Sequence, residues 1–377
     1  MARIFNTIDD LIDATYGSNI FNAGRIRKDA PVLTSTAGAA NNIYGAEVFA
    51  GFVTEANAFG VLPKKPWSKS GYRAAQAASA TSGGGVSEGG AIPATVKASY
   101  FQCDMSKKTM ANAFDMSTLQ LGIEGKDDVL TWQAHRDLEA ETFKNLVNRA
   151  LLADGNADPT ALTVFDSIDR HVATTAADVT GCGNTASYED PWGLLDRSAT
   201  SSGNDNYGSW ADAQISHGGS TGTETDREFS LSYIDTVFAA CAPYWKNGIN
   251  NKVFITGYDT FMDWSQEMLP QQMLPLTRVK LGVNGIESLG NTDTGLLVNA
   301  YNGIPIILSN NVAQDTKSRI YLLDLDYMGI DLISPLTYYE SEDYQAIDKF
   351  AREGVFKIEG ELVTTKFRGQ GKIRGLK

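Results

Sequence analysis

Histidine and cysteine are scarce in this chain, three of each among 377 residues. Cys103, Cys182 and Cys241 lie far apart, so no CxxC pair exists to hold zinc or shuttle electrons. Their odd number offers no disulfide framework, and this usage fits a reduced compartment. His135, His171 and His217 form no HExxH pairing, which removes the usual metalloprotease signature. No Asn-x-Ser/Thr acceptor occurs either, in keeping with a protein that is not secreted. Long apolar runs are also missing. Stretches such as Val237 to Ala242 and Ile304 to Leu308 fall far below the roughly 20 residues of a helical membrane span. Met1 to Asn22 is broken by Arg3, Asn6, Asp9, Asp10 and Asp13, so it lacks the apolar centre of a signal peptide.

What remains is a globular composition, 42 % hydrophobic and 20 % charged. At about 150 residues per domain the length supports two or three core-bearing units. The net charge of −13 hides a regional asymmetry. Glu55 to Met110 has seven basic residues against three acidic, Asp154 to Asp235 has three against 14, and Val355 to Lys377 has six against two. Solvated faces on separate surfaces are the plain explanation of such blocks. The sharper expectation is that the basic ends meet acidic surfaces on other copies of the chain.

Met1 to about Ala50 shows weak periodicity and many Ala, Asn and Gly positions, including Thr36 to Asn42, and reads as an extended arm. Pro63 and Pro66 flank Lys64 and Lys65, with Trp67 following, and Ala74 to Gly90 is almost all Ala, Ser, Gly, Gln and Thr. Such a segment cannot bury a core of its own. Ala94 to Met105, with Val96, Tyr100 and Phe101, reads as a strand, so the pair predicts a long two-stranded loop.

From Lys126 the pattern becomes helical, with Asp127 and Asp128 at the favourable N-terminal end of the dipole. Apolar residues from Leu130 to Leu151 recur at three- and four-residue spacing, and Asp154-Gly155 ends the run. Residues 171–228 are rich in Gly, Ser, Thr and Asn and predict a long loop, with Trp192 and Trp210 as anchors. A helix over Leu231 to Trp245 follows, then a strand at Lys252 to Thr256 and a helix at Asp259 to Met268. Strands are expected at Leu296 to Asn299, Ile304 to Ser309, Arg319 to Leu325 and Gly329 to Ile333, and one exposed on one face over Phe350 to Phe367. The fold class is α+β.

The motifs with chemical meaning fail on context. Gly85-Val86-Ser87-Glu88-Gly89 matches G-x-S-x-G, but no apolar strand precedes it and no helix follows, so Ser87 reads as a loop residue. Asp154-x-Asn156-x-Asp158 starts like a calcium loop, yet Pro159 stands where the turn needs Gly. Gly369-x-Gly371 lacks a strand-to-helix setting and reads as a chain-end turn. No catalytic, cofactor or metal residue is assigned.

The order of features is more informative: arm, Gly-rich hairpin, long helix, α+β body, returning basic strand. Glu88-Gly89-Gly90-Ala91-Ile92-Pro93 with Phe101 to Ser117, Ala150-Leu151-Leu152-Ala153-Asp154-Gly155, Asn251 to Thr256 with Thr260 and Trp264, and Gly303-Ile304-Pro305-Ile306-Ile307-Leu308-Ser309 together carry a likeness. So do Arg319 to Ile333, Glu340 to Leu362, Gly193 to Ser198 and Tyr207 to Trp210. In this order the chain resembles the major capsid protein of tailed double-stranded DNA viruses, the fold named after the Hong Kong ninety-seven phage.

The resemblance implies an N-terminal arm and entry strands (1–54), an extended loop and return strand (55–118) and a peripheral domain with a long spine helix (119–165). An axial domain with the Gly/Ser-rich loop (166–338) and peripheral return strands (339–377) complete it. It implies self-assembly as pentamers and hexamers into an icosahedral virion shell in the host cytoplasm. That shell would enclose double-stranded DNA without sequence-specific binding, with portal, scaffolding or decoration proteins as further partners, no cofactor and no membrane. An encapsulin-like compartment around enzyme cargo is the alternative, and a hydrolase using Ser87 the foil. Lys64, Lys65, Trp67, Lys69, Arg73 and Glu88 of the loop, with Glu124, Asp127 and Asp128 at the helix start, are the candidate intersubunit contacts. Crosslinking relatives join a loop Lys to a peripheral-domain Asn, but no Asn follows Asn311 here, so that reaction is not expected.

Overall fold

A computed structural model describes residues 57–76, 86–90, 99–118, 121, 132–155, 164–174, 210–218, 226–268, 276–279, 296–340 and 351–377. The expected arm over 1–54 and the helix start at 122–130 lie outside them. The described residues divide into a smaller unit from Phe114–Leu138 and Glu340–Glu353, and a larger one from Gly51–Ala113, Glu139–Tyr339 and Gly354–Lys377.

The larger unit holds a seven-stranded sheet among the described residues. Its strands are β5 (Gln214–Ser216), β6 (Lys252–Thr256), β7 (Leu276–Val279), β8 (Leu296–Tyr301), β9 (Ile304–Leu308), β10 (Ile320–Asp324) and β13 (Gly371–Ile373), in the order β5-β13-β10-β6-β9-β8-β7. Every residue of β6, β10 and β13 is buried, which fits interior strands covered on both faces. The β8–β9 hairpin turns on Asn302-Gly303, both at positive φ (50° and 80°), the pairing that a tight two-residue turn requires.

Helix α4 (Leu231–Cys241) starts at Ser230, whose hydroxyl accepts from the Ser232 backbone N–H, and buries Leu231, Ile234, Val237 and Cys241 at helical spacing. Gly371 permits this packing, because a Cβ there would stand 2.4 Å from Val237 Cγ1 and 3.2 Å from Cys241 Sγ. Helix α5 (Tyr258–Met268) inserts the fully buried Trp264, which meets Phe254 (5.2 Å between centroids) and Tyr301 (5.6 Å) edge-on. These rings, with Ile304, Ile306, Ile320 and Leu322, form a hydrophobic core.

A second sheet of four strands has the order β1-β11-β12-β4: β1 (Lys64–Pro66), β11 (Met328–Glu340), β12 (Ala351–Thr364) and β4 (Lys108–Ser117). Helix α2 (Trp132–Leu152) buries Phe143, Val147, Leu151 and Leu152. Its Asn148 side chain accepts from the backbone N–H groups of Ala58 (3.0 Å) and Phe59 (3.2 Å), ordering the short helix α1 (Asn57–Val61). In the smaller unit Phe114 packs on Trp132 at 5.1 Å, Arg352 covers the same indole at 4.7 Å, and Arg352 pairs with Glu340.

Three expectations are corrected. Gly369 to Gly371 does not form a mere chain-end turn, since it leads into β13 inside the seven-stranded sheet, between β5 and β10. Residues 351–364 do not keep one exposed face throughout: burial alternates from 354 to 360, and 360–364 are buried without a break. The Gly/Ser-rich region is not loop alone, because His171, Val172 and Ala173 at its start and Ala211 within it are fully buried, and β5 lies within it too.

Candidate functional site

The expected two-stranded loop is present at its base. β2 (Gly71–Gln76) and β3 (Ser99–Asp104) pair antiparallel, Gly71 opposite Asp104 and Gln76 opposite Ser99. Among the described residues these strands form a sheet of their own. Cys103, Met105, Ala211, Val363 and Phe367 form a small core under the hairpin, with Trp67, Tyr72 and Trp210 packed against it. The Tyr72 hydroxyl donates to the Thr364 carbonyl at 2.8 Å, and the Met105 N–H donates to the Ser70 carbonyl at 2.8 Å. These contacts anchor the base of the β2–β3 pair.

The candidate contact residues separate by position. Lys65, Lys69, Arg73 and Glu88 are exposed. Trp67 belongs to the small core under the hairpin. Lys64 is turned inward: its Nζ donates to the Phe59 carbonyl at 2.6 Å and stands 4.4 Å from the Phe59 ring, and burial lowers its pKa to about 8. Glu124, Asp127 and Asp128 lie outside the described residues. Ser87 sits in an exposed turn closed by Gly90 N–H to Ser87 carbonyl (2.8 Å), with Gly89 at φ 77°, rather than at a strand-to-helix elbow.

The sequence reading missed the charged interior. The residues around helix α3 (Ile168–His171) carry two networks. On one side Lys108 Nζ donates to Asp166 Oδ1 (2.7 Å) and approaches Glu361 Oε2 (2.8 Å), with Arg170 and His171 each 3.6 Å from the Asp166 carboxylate. His171 Nδ1 also meets Thr364 Oγ1 at 2.8 Å. Against the effect of burial, His171 and Lys108 hold Asp166 well below the usual carboxylate range. Burial and the neighbouring Asp166 push Glu361 up to about 8, so the two carboxyl groups share one negative charge at neutral pH.

On the other side Asp169 receives Tyr321 Oη (2.8 Å), Lys372 Nζ (3.1 Å) and the Gly155 N–H (3.2 Å), while Arg319 Nη1 lies 2.9 Å from its second oxygen. Arg319 continues to Asp315, which also binds Arg374 and the Gly375 N–H. A third group places Lys252 Nζ among Asp324 Oδ1 (2.7 Å), Asp326 Oδ2 (3.1 Å) and the Asn250 carbonyl (2.9 Å).

These contacts correct the expected use of charge. Lys372 and Arg374 of the basic C-terminal block are spent on Asp169 and Asp315 of the same chain, not held for a neighbour. One signal was available in the sequence. Arg368, Gln370, Lys372 and Arg374 alternate along an extended segment, the pattern of a strand with a polar inner face.

No protein-family model matches the chain, and no curated protein matches it in sequence. Solved structures do. The chain is similar to the capsid asymmetric unit of Cyanophage A-1(L), with a TM-score of 0.59 and 13 % identity over 88 % of this chain and 95 % of that one. It is similar to an encapsulin complex from Synechococcus elongatus (TM-score 0.51, 12 % identity, 94 % of each chain). It also resembles the capsid of a native GTA particle (TM-score 0.51, 11 % identity, 97 % of this chain and 99 % of that one). The chain has the mixed α+β fold of these capsid and encapsulin structures.

Proposed function

We propose that this chain is a structural shell subunit, a major capsid protein that assembles as pentamers and hexamers into an icosahedral virion shell around double-stranded DNA. The observation that carries this reading is the hairpin, whose two strands pair only with each other among the described residues. A two-stranded ribbon is marginal in water, and a rooted ribbon with exposed basic residues gains its cover from another copy. In this reading 1–54 form the arm, 55–118 the extended loop, 119–165 and 339–377 the peripheral domain, and 166–338 the axial domain. Lys65, Lys69, Arg73 and Glu88 face a neighbour, Trp67 supports the loop from beneath, and Lys64 contributes mainly to its own helix end. Glu124, Asp127 and Asp128 are the proposed acidic counterparts. No catalysis or cofactor is assigned, and assembly takes place in the host cytoplasm.

The likeness to an encapsulin supports a second reading, a compartment that encloses enzyme cargo. Electron microscopy of purified particles with nuclease protection separates the two. Shells that protect double-stranded DNA support the capsid, shells with protein cargo support the compartment, and a persistent monomer overturns both.

A further inference from the structure

Lys108 is a primary amine enclosed between two carboxyl groups, and the shell role makes no use of it. The side chains of Lys108, Asp166 and Glu361 are 1 %, 2 % and 0 % exposed. Burial and unequal neighbours give the two acids different states: Glu361 keeps its proton up to about 8, whereas Asp166 stays ionised. A neutral carboxylic acid is an acceptor for an amine, and an ionised carboxylate beside it can accept protons. Glu361 Oε1 accepts backbone N–H groups from Asp166 and Leu362, both at 2.9 Å. Two fixed donors on that oxygen are placed to stabilise charge that develops when the carboxyl carbon is attacked. Lys108 Nζ stands at the other oxygen, 2.8 Å from Oε2.

We propose that Lys108 and Glu361 form an isopeptide bond within the chain, with Asp166 accepting protons from the amine. Asp166 takes a proton from the Lys108 ammonium, and the freed amine adds to Glu361 Cδ. The C–N bond forms, negative charge collects on Oε1, and collapse breaks the Cδ–Oε2 bond. Of the three protons on Nζ, one remains on the amide, one leaves with the Glu361 hydroxyl as water, and one departs through Asp166. Nothing is oxidised or reduced. Arg170 and His171 orient the Asp166 carboxylate, and Thr364 holds the His171 ring. Exclusion of bulk water from the site protects the product from hydrolysis. The bond joins β4 to β12, neighbours in the four-stranded sheet.

The inference rests on contacts inside one chain and stands or falls independently of shell assembly. The test is the intact mass of the full chain, folded, then denatured. The expected result is a mass one water below that of the sequence, with a single branched peptide joining the Lys108 and Glu361 segments. Lys108→Arg retains the positive charge but removes the nucleophilic amine, so it should fold and show the full sequence mass. Bond formation should slow above about pH 8 as Glu361 ionises. Native chain that keeps its full mass after long incubation of the folded protein between about pH 6 and about pH 9 overturns the proposal. A branched peptide ending at Asp166 instead of Glu361 overturns the assignment of the acceptor.

Discussion

Tyr321, in strand β10, donates its hydroxyl to Asp169 Oδ1 at 2.8 Å, and Lys372 of β13 reaches the same oxygen at 3.1 Å. One buried carboxylate thereby ties two adjacent strands to helix α3, and Arg319 at 2.9 Å secures its other oxygen. Losing the carboxylate would take the anion from between two buried cations, Lys372 and Arg319, and breaking a buried pair from one side costs about 3–5 kcal/mol. Asp169→Ala should therefore lose about that much in denaturant unfolding, while Tyr321→Phe, which removes one hydrogen bond, should lose about 1–3 kcal/mol. Equal small losses in both would show that the network is not a unit.

The close approach of Gly371 to α4 gives a test with an internal rescue. Gly371→Ala places a methyl 2.4 Å from Val237 Cγ1, and overpacking of this kind costs about 1–3 kcal/mol. Val237→Ala opens space at the same point, so the double variant should be more stable than the sum of the two losses implies. Strict additivity in thermal or denaturant unfolding would mean that the helix moves away from the sheet instead.

The parts of the fold that follow local periodicity were legible in the sequence. Helix α5 and strands β6, β9 and β10 fall within a residue of the expected spans, because their apolar spacing matches the face they bury, while α4 starts at Leu231 as expected but ends at Cys241, four residues short of Trp245, where Pro243 sits in a tighter turn. Strand β13 was not legible from apolar pattern, although its polar residues alternate. Its residues Gly371, Lys372 and Ile373 carry one apolar side chain, and the lysine is buried only because Asp169, 203 residues away, is there to meet it. Hydrophobic pattern cannot reveal a buried ion pair between distant segments. The same reason hid Lys108, Asp166 and Glu361, whose meeting depends on tertiary structure. For the hairpin, composition marked the segment and the β-branched and aromatic residues marked a strand, but sequence alone did not show that Lys64 turns back to cap its own helix.

Lys64 titrates in a window that can be measured. Its pKa falls from 10.5 to about 8 because burial disfavours the ammonium, so between those values the unfolded chain binds more protons than the folded one. Stability contributed by this group therefore rises with pH across that window. Lys64→Met should flatten the rise in unfolding free energy from about pH 8 to about pH 10, and amine labelling near pH 8 should modify Lys64 faster than an ordinary lysine of equal exposure. An unchanged pH slope would place Nζ in water.

Charge reversal on the hairpin tests how copies meet. Lys65, Lys69 and Arg73 are exposed on or beside the ribbon, and the proposed counterparts are Glu124, Asp127 and Asp128 of an adjacent subunit. Each exposed ion pair contributes only about 0.2–1 kcal/mol, but a shell repeats the contact in every copy. Because the screening length shrinks to roughly 3 Å at about 1 M ionic strength, salt should loosen these contacts while apolar interfaces hold or tighten. Lys65→Glu/Lys69→Glu should weaken assembly at low salt and lose most of the native salt dependence, measured by light scattering of shells across a salt series. Lys64→Met is the control, since its ammonium already serves the Phe59 carbonyl, and it should leave the salt dependence near that of the native chain. If the double reversal assembles with the native salt profile, packing and backbone hydrogen bonds hold the loop, and the acidic counterparts are misassigned.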